Sequence, residues 1–193
     1  FWIGDASAGE RPALEPAMQR WFGGDKALDM RIRERFGEQI ESALAGGFRQ
    51  WEDDIRARLA LIILLDQFTR NVFRGTARAF AGDARALGLA RGAIAAGDIQ
   101  SLTIIERVFL FMPCQHAEDR KVQDESVRLF AALAEEAPVA LEDLLRTNLK
   151  YAKLHHDIVM RFGRFPHRNA VLKRTTTPDE AAWLEESGMR FGQ

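Results

Sequence analysis

The feature that most constrains the fold is a helical repeat of apolar residues that runs through nearly the whole chain. The clearest case is the segment 25–45, whose apolar residues recur every four positions: Leu28, Ile32, Phe36, Ile40 and Leu44. That spacing places one apolar stripe along a helix. Alternating strand patterns are nearly absent, and the helix-favouring residues Ala, Leu, Arg and Glu dominate. The sequence therefore predicts an all-α protein.

The longest apolar run, LALIILL at 59–65, lies within a helix that the pattern predicts from Glu52 to Phe73. A helix that is apolar on every side is surrounded by other elements, so we expect this one at the centre of the fold. The side chains expected to be nearly inaccessible are Leu59, Ile62, Ile63, Leu65 and Phe68. The run is far shorter than the roughly 18 apolar residues of a membrane-spanning helix, so no membrane partner is expected.

Start and stop signals divide the rest of the chain. Thr103 and Glu106 form a capping box, and the helix that begins there is expected to stop before Pro113. Thr76 is expected to cap the next helix after the central one, and Thr177 is expected to cap the last helix. The further helices are predicted over 12–21, 76–96, 117–136, 138–162 and 177–188.

Short glycine-containing turns between these helices indicate an array of helical hairpins. Ala86, Ala90 and Ala93, followed by Gly97-Asp98, have the small-residue spacing of the second helix in a tetratricopeptide repeat. We therefore expect a tetratricopeptide-like right-handed superhelix. No linker or low-complexity segment interrupts the chain, so a single domain over 1–193 is predicted.

The charge balance limits the partners that a chain like this can bind. Lys and Arg number 27 and Asp and Glu number 28, which gives a net charge of −1. No overall field attracts a nucleic acid or an anionic membrane, so neither is expected as a partner. Cys114 is the single cysteine and cannot form an internal disulfide, which fits a reducing, cytoplasmic location.

One charged segment, 66–76, directly follows the long apolar run. Asp66 and Arg70 are four residues apart with the acid first, which favours an ion pair on one helix face. Arg74 repeats the spacing, so the two guanidiniums are expected on the same face, with Asn71 beside them. Two interpretations remain open: an internal ion-pair network that fixes helix packing, or a face that binds a carboxylate or phosphate through arginine.

A second segment, RFGRFPHRN at 161–169, is basic and contains no acid. Its polar side chains are Arg161, Arg164, His167, Arg168 and Asn169, and His155 lies upstream on the helix that leads to it. The structural interpretation is that these arginines cap helix carbonyl groups. The functional interpretation is an anion site, because solvated charged surfaces usually mix both signs and this segment does not.

A third segment, PCQHAED at 113–119, places His116 on a connection between helices. His116 with Glu118 or Asp119 is a candidate general acid–base pair, although a first-turn acid also stabilises a helix without any function. The sequence has no HExxH motif, no paired His spacing and no glycine-rich phosphate loop, so no metal or cofactor is expected. Cys114 is more simply explained as packing than as a nucleophile.

Three stretches carry a resemblance to a known family: LDQFTRNVFRGTARAFAGDARAL, MPCQHAEDRKVQDESVRLF and HHDIVMRFGRFPHRNAVLKRTTTPDEAAWL. In these, and in the opening FWIGD, the chain resembles the bacterial family called domain of unknown function 924. The resemblance implies a soluble all-α, tetratricopeptide-like superhelix and no established reaction. The chain departs from the family pattern at Ala117, Arg120, Lys173 and Thr176.

Together these segments favour a binding module or receptor with an Arg/His-lined pocket or groove for a small anionic ligand or an acidic peptide. The alternative is an enzyme that acts on a small anionic or phosphorylated metabolite with His/acid chemistry. We expect 66–76 and 161–169 to meet in space, with Asp83, Glu118 and Asp119 as candidate acids that pair with the arginines. The candidate ligand-binding residues are Asp66, Arg70, Asn71, Arg74, His116, Glu118, His155, Arg161, Arg164, His167, Arg168 and Asn169.

Overall fold

A computed structural model describes residues 1–189 of the chain, and in this range the protein consists of helices and turns, without a strand. The last four residues of the predicted domain, 190–193, lie outside the described residues. Helix accounts for 77% of the structure, which confirms the predicted all-α class. No helix within residues 1–189 combines the length and the apolar character needed to cross a membrane.

The α-helices are α1 (Arg11–Phe22), α2 (Lys26–Leu44), α3 (Ile55–Ile62), α4 (Thr69–Val72), α5 (Asp83–Ala96), α6 (Ile104–Gln115), α7 (Arg120–Glu135), α8 (Glu142–Phe162) and α9 (Pro178–Ser187). A π-helix, Ile63–Phe68, joins α3 directly to α4. Short 3-10 segments are Gly4–Ala8, Arg49–Glu52, Ala77–Phe80, Asp98–Ser101, Val139–Leu141 and Pro166–Arg168.

The capping signals explain where several helices begin. Asp25 precedes α2, and its carboxylate accepts the Ala27 N–H. Thr103 and Glu106 form the predicted capping box of α6. An equivalent box, between Thr177 and Glu180, begins α9. Side-chain acceptors satisfy backbone donors that would otherwise have no partner, which fixes these starts.

The predicted helix from Glu52 to Phe73 is wrong in two details. It begins at Ile55, because the Asp54 carboxylate accepts two backbone N–H groups of the first turn and Arg49–Glu52 is a separate 3-10 turn. It also widens to a π-helix between Ile63 and Phe68, which apolar periodicity does not reveal.

Pro113 does not stop α6, contrary to the prediction, and the helix continues to Gln115. An interior proline removes one backbone hydrogen bond and typically costs about 3 kcal/mol. Residues 108–115 are all buried, so the packing of this segment outweighs the local cost.

Thr76 does not cap the helix that follows it. Its hydroxyl donates to the Phe73 carbonyl, a 3-10 turn follows, and α5 begins only at Asp83. The helices predicted to begin at residues 117 and 138 also begin later than expected. Asp119 caps α7 at Arg120, and α8 begins at Glu142 after a 3-10 turn.

The core forms around the central segment, as the long apolar run predicts. The five side chains expected to be inaccessible are all buried, with exposed fractions of 4%, 0%, 7%, 0% and 3% for Leu59, Ile62, Ile63, Leu65 and Phe68. Helices α2, α5 and α6 contact the π-helix, while α7 packs between α6 and α8. Asp66 lies within this apolar core, and the candidate site forms around it.

Candidate functional site

The π-helix carries one fully buried acid, Asp66, into the interior. A π-helix adds a residue to a helical turn, and such insertions frequently occur at functional sites. Around Asp66 the fold brings together side chains from four separate parts of the sequence. We call this cluster the polar centre, and its residues are Asp66, Arg70, Asp83, His116 and Arg168.

Asp66 is held by three polar neighbours. Its Oδ1 lies 2.8 Å from His116 Nδ1 and 3.1 Å from the Arg70 guanidinium. Its Oδ2 accepts from Gln67 Nε2 at 2.6 Å. Burial alone would raise the pKa of Asp66, but Arg70 and His116 outweigh it and lower the pKa below its usual range. Asp66 is therefore ionised at neutral pH.

Asp83 is shared by two arginines. Arg70 donates to its two carboxylate oxygens at 2.9 and 3.1 Å, and Arg168 donates to Oδ2 at 3.2 Å. The Arg168 guanidinium lies 4.5 Å from the ring centroids of both Phe80 and Phe165. Two cations thus compete for one carboxylate in a partly apolar setting.

Of these two arginines, Arg168 has fewer contacts with acidic side chains to balance its charge. Its side chain is only 7% exposed, and its Nε is buried without a hydrogen-bond partner among the described residues. One Nη donates to the His116 carbonyl at 3.0 Å. Burial and the nearby Arg70 lower the pKa of Arg168 to about 10. The guanidinium remains charged at neutral pH, although its surroundings disfavour that charge.

His116 is the C-cap residue of α6, and its ring lies beside that of His155 on α8. Burial lowers the pKa of His116 even though Asp66 opposes the shift, so the imidazole is neutral at pH 7. A neutral ring that donates from Nδ1 to a carboxylate carries its lone pair on Nε2. This arrangement of a buried acid, an oriented imidazole and a basic Nε2 is the geometry of an acid–histidine dyad.

Two further histidines lie beside His116. His155 donates from Nδ1 to the Tyr151 carbonyl at 2.8 Å, and its ring centroid lies 6.0 Å from that of His116. Burial, with a contribution from His116, lowers the pKa of His155 to about 3. Burial and Arg168 lower the pKa of His167 to about 3 as well. The three imidazoles are therefore neutral at pH 7.

A second network holds the segment that carries His167 and Arg168. Glu118 accepts two hydrogen bonds from Arg174, at 2.6 and 3.0 Å, and one from the Phe165 backbone N–H at 2.7 Å. Burial would raise the pKa of Glu118, but Arg174 and the Phe165 N–H lower it. Glu118 therefore anchors the 163–177 connection rather than pairing with His116.

Arg164 and Asn169 belong to the same anchoring network. Arg164 donates to both oxygens of Glu180, at 2.6 and 2.8 Å, and Asn169 Nδ2 donates to Glu180 at 3.1 Å. Hydrogen bonding from Arg164 lowers the pKa of Glu180 to about 2. Glu180 thus holds two predicted site residues in addition to its role in the capping box.

Asn71, Arg74 and Arg161 belong neither to the polar centre nor to the anchoring network around Glu118 and Glu180. Asn71 and Arg74 donate to Asp29 at 2.7 and 3.1 Å and join the end of α4 to α2. The expectation that Arg70 and Arg74 share one helix face is wrong, because α4 ends at Val72 and each arginine has its own acid. Arg161 is exposed and stacks on Phe162.

The segments 66–76 and 161–169 are joined where Asp83 bridges Arg70 and Arg168. Sequence reasoning missed Asp29 and Arg174 and treated Glu180 only as a helix cap. Their partners are 45, 56 and 16 residues away for Arg74–Asp29, Arg174–Glu118 and Arg164–Glu180. Only the surplus of arginines over local acids signalled that distant acids were needed.

The surroundings of Cys114 and the arrangement of possible metal ligands bear on two other kinds of chemistry. Burial raises the pKa of Cys114 to about 12, so its thiol is protonated and inert at neutral pH. Among residues 1–189, no three or more His, Cys, Asp or Glu side chains are arranged to hold a metal ion.

The fold and the polar centre define an all-helical protein with a buried Arg–Asp–His network. The chain belongs to the family of bacterial proteins of unknown function DUF924, whose model matches residues 1–188. It is also similar to the solved structure of a protein of unknown function, ATU0120 from Agrobacterium tumefaciens. The identity is 39% and the TM-score is 0.79, over 90% of this chain and 92% of that chain. No curated protein matches the chain.

Proposed function

We propose that this protein is a receptor or binding module that takes up a small anionic molecule at the polar centre. The observation that carries the proposal is Arg168. It is a buried cation that, within residues 1–189, shares its one ion-paired carboxylate with Arg70 and has an Nε donor without an acceptor. A buried donor without an acceptor costs about 1–3 kcal/mol, more when the group is charged. A ligand carboxylate or phosphate would supply the missing acceptor and charge.

The polar centre is partly open to solvent. The side chains of Asp83, Arg70 and His116 are 22%, 15% and 14% exposed. A small anion can approach along this side, with Arg168 as the charge partner and His116 Nε2 as a hydrogen-bonding neighbour. An extended acidic peptide is less well matched, because Arg161 and Arg74, which would extend the basic surface, lie outside the centre.

Thermal unfolding in the presence of inorganic phosphate, phosphate monoesters and dicarboxylates tests the proposal. A ligand at 100 times its dissociation constant stabilises the folded state by about 2.7 kcal/mol. Arg168→Gln should abolish that stabilisation, and the exposed control Arg161→Gln should retain it. If Arg168→Gln does not fold, His116→Gln provides the comparison. An unchanged melting temperature of the wild type with every anion contradicts the proposal.

A second candidate function, an enzyme for a small anionic metabolite, is favoured by the Asp66–His116 contact of 2.8 Å. In that reaction His116 Nε2 would accept a proton from the substrate or from water, while Asp66 stabilises the resulting imidazolium. Phosphate release from a panel of phosphate monoesters tests this candidate. Turnover that is lost in Asp66→Asn while ligand binding persists supports it, and turnover unaffected by Asp66→Asn contradicts it.

We further propose that residues 1–193 form one cytoplasmic domain with a tetratricopeptide-like superhelix. Consecutive contacts from α5 to α8 support the hairpin array, as does the complete burial of Ala86, Ala90 and Ala93 on α5. The buried free thiol of Cys114 fits a reducing location. A single cooperative unfolding transition is expected, and a crystal structure with a constant rotation between hairpins would support the superhelix.

A further inference from the structure

A second concave site lies beside the π-helix, away from the polar centre. It is a cleft of about 420 Å³, and the π-helix contributes Ile63, Leu64 and Phe68 to its wall. The aromatic residues that line the rest of it are Phe1, Trp2, Phe36 and Trp51. Ligand pockets for small molecules typically occupy about 300–1,000 Å³ and are lined mainly by apolar and aromatic side chains. The cleft has the size and lining of such a pocket.

Two polar groups at the cleft have no polar partner among the described residues. Trp2 is only 4% exposed, and its indole Nε1 is buried without a hydrogen-bond acceptor. The exposed Arg35 stacks over the rings of Phe1 and Phe36, at 5.1 and 5.2 Å, and makes no ion pair within residues 1–189. Trp2, with its unsatisfied buried donor, and Arg35, without an ion pair, thus line the same apolar cleft.

The other charges that line the cleft balance each other. Arg56 lies 3.6 Å from the Glu106 carboxylate and also donates to the Ser101 carbonyl. Among the described residues, Arg35 is therefore the one charged side chain of the lining that has no ion-pair partner. An anion with an apolar body would therefore complement both the positive charge and the apolar lining of the cleft.

We propose that this cleft binds a small amphipathic carboxylate, with its hydrocarbon body against the aromatic wall and its carboxylate on Arg35. The hydrocarbon gains from leaving water, while the planar guanidinium matches the carboxylate geometry. This site is separate from the polar centre, since Asp66 and Arg168 do not line it. If this cleft binds no carboxylate, the function proposed for the polar centre is unaffected.

Sodium octanoate and 1-octanol, which share one hydrocarbon tail, are suitable probes. Because Trp2 and Trp51 line the cleft, binding should change the intrinsic tryptophan fluorescence. We expect octanoate to bind roughly tenfold more tightly than octanol. Arg35→Gln should remove that preference, whereas Arg31→Gln, on the same helix but outside the cleft, should keep it.

Ala60→Phe places a bulky ring in the cleft from an exposed position and should abolish the binding of both probes. Unchanged binding in this variant overturns the proposal, as does equal affinity of the wild type for octanoate and octanol. Sedimentation of the same samples tests a different occupant. A dimer that Ala60→Phe converts to a monomer, with no octanoate binding, would show that a second copy fills the cleft and would overturn the proposal.

Discussion

The two sides of the π-helix Ile63–Phe68 use the same short stretch of chain in opposite ways. On one side, Asp66 is fixed by directional bonds to His116, Arg70 and Gln67. On the other side, Ile63 and Leu64 line an open apolar cleft. The comparison shows that directional polar bonds organise one side of this helix, while apolar side chains on its other side form the wall of a cleft.

The largest expected effect is on the charged side. Asp66→Ala leaves Arg70 with less compensation and His116 without its acceptor, so the free energy of unfolding should fall by about 3–5 kcal/mol. Denaturant unfolding monitored by circular dichroism measures the loss. A loss below about 1 kcal/mol would show that the polar centre contributes little to the fold, which would reverse the contrast between the two sides.

On the apolar side, Leu65→Ala should cost about 2–5 kcal/mol, because Leu65 is fully buried and the substitution leaves a cavity. The same unfolding assay applies. The control Ala60→Ser, at an exposed position that lines the cleft, should change stability by less than about 0.5 kcal/mol. Equal costs at both positions would contradict the central location of this segment.

The free energy of unfolding should depend on pH through the neighbouring residues His155 and His156, whose pKa values shift in opposite directions. The pKa of His155 is lowered to about 3 in the folded state, so its stabilising contribution is complete above about pH 6.5. That contribution falls by up to about 1.4 kcal/mol per pH unit as the pH drops toward 3, because the unfolded chain binds the extra proton. His155→Gln should therefore flatten the acid side of the stability profile.

His156 provides the matched control for that profile. A hydrogen bond to Asp157 and contact with Asp124 raise its pKa, so its contribution is complete below the unfolded pKa and is lost as the pH rises through the folded pKa. His156→Gln should remove a small contribution of the opposite sign. If both variants change the profile in the same direction, the burial of His155 does not explain it.

The smallest expected effect is at an exposed ion pair. Arg78 and Glu41 make close contacts at 2.6 and 2.7 Å, but their side chains are 51% and 56% exposed. Water and salt screen such pairs, so a double-mutant cycle should give less than about 1 kcal/mol. A coupling above about 2 kcal/mol would mean that the contrast between buried and exposed charges is overstated.

The sequence predicted the helices and the core because these depend on local periodicity and caps, as for Thr103 before α6 and Leu65 in the core. It did not predict the π-helix or the continuation of α6 through Pro113, because tertiary packing decides both. It identified Asp66–Arg70, which are four residues apart, but missed the bond between Arg174 and Glu118, whose 56-residue separation leaves no local signal.

The central claim is that the Nε–H of Arg168, which has no acceptor among residues 1–189, gains one from a small anion. NMR of the arginine side chains tests this claim most directly. The Nε–H resonance of Arg168, assigned by its absence in Arg168→Lys, should shift and become more protected from solvent exchange when phosphate or a dicarboxylate is added. The Nε–H of Arg164, already paired with Glu180, should not move. An Arg168 resonance that stays unchanged with every anion would contradict the account.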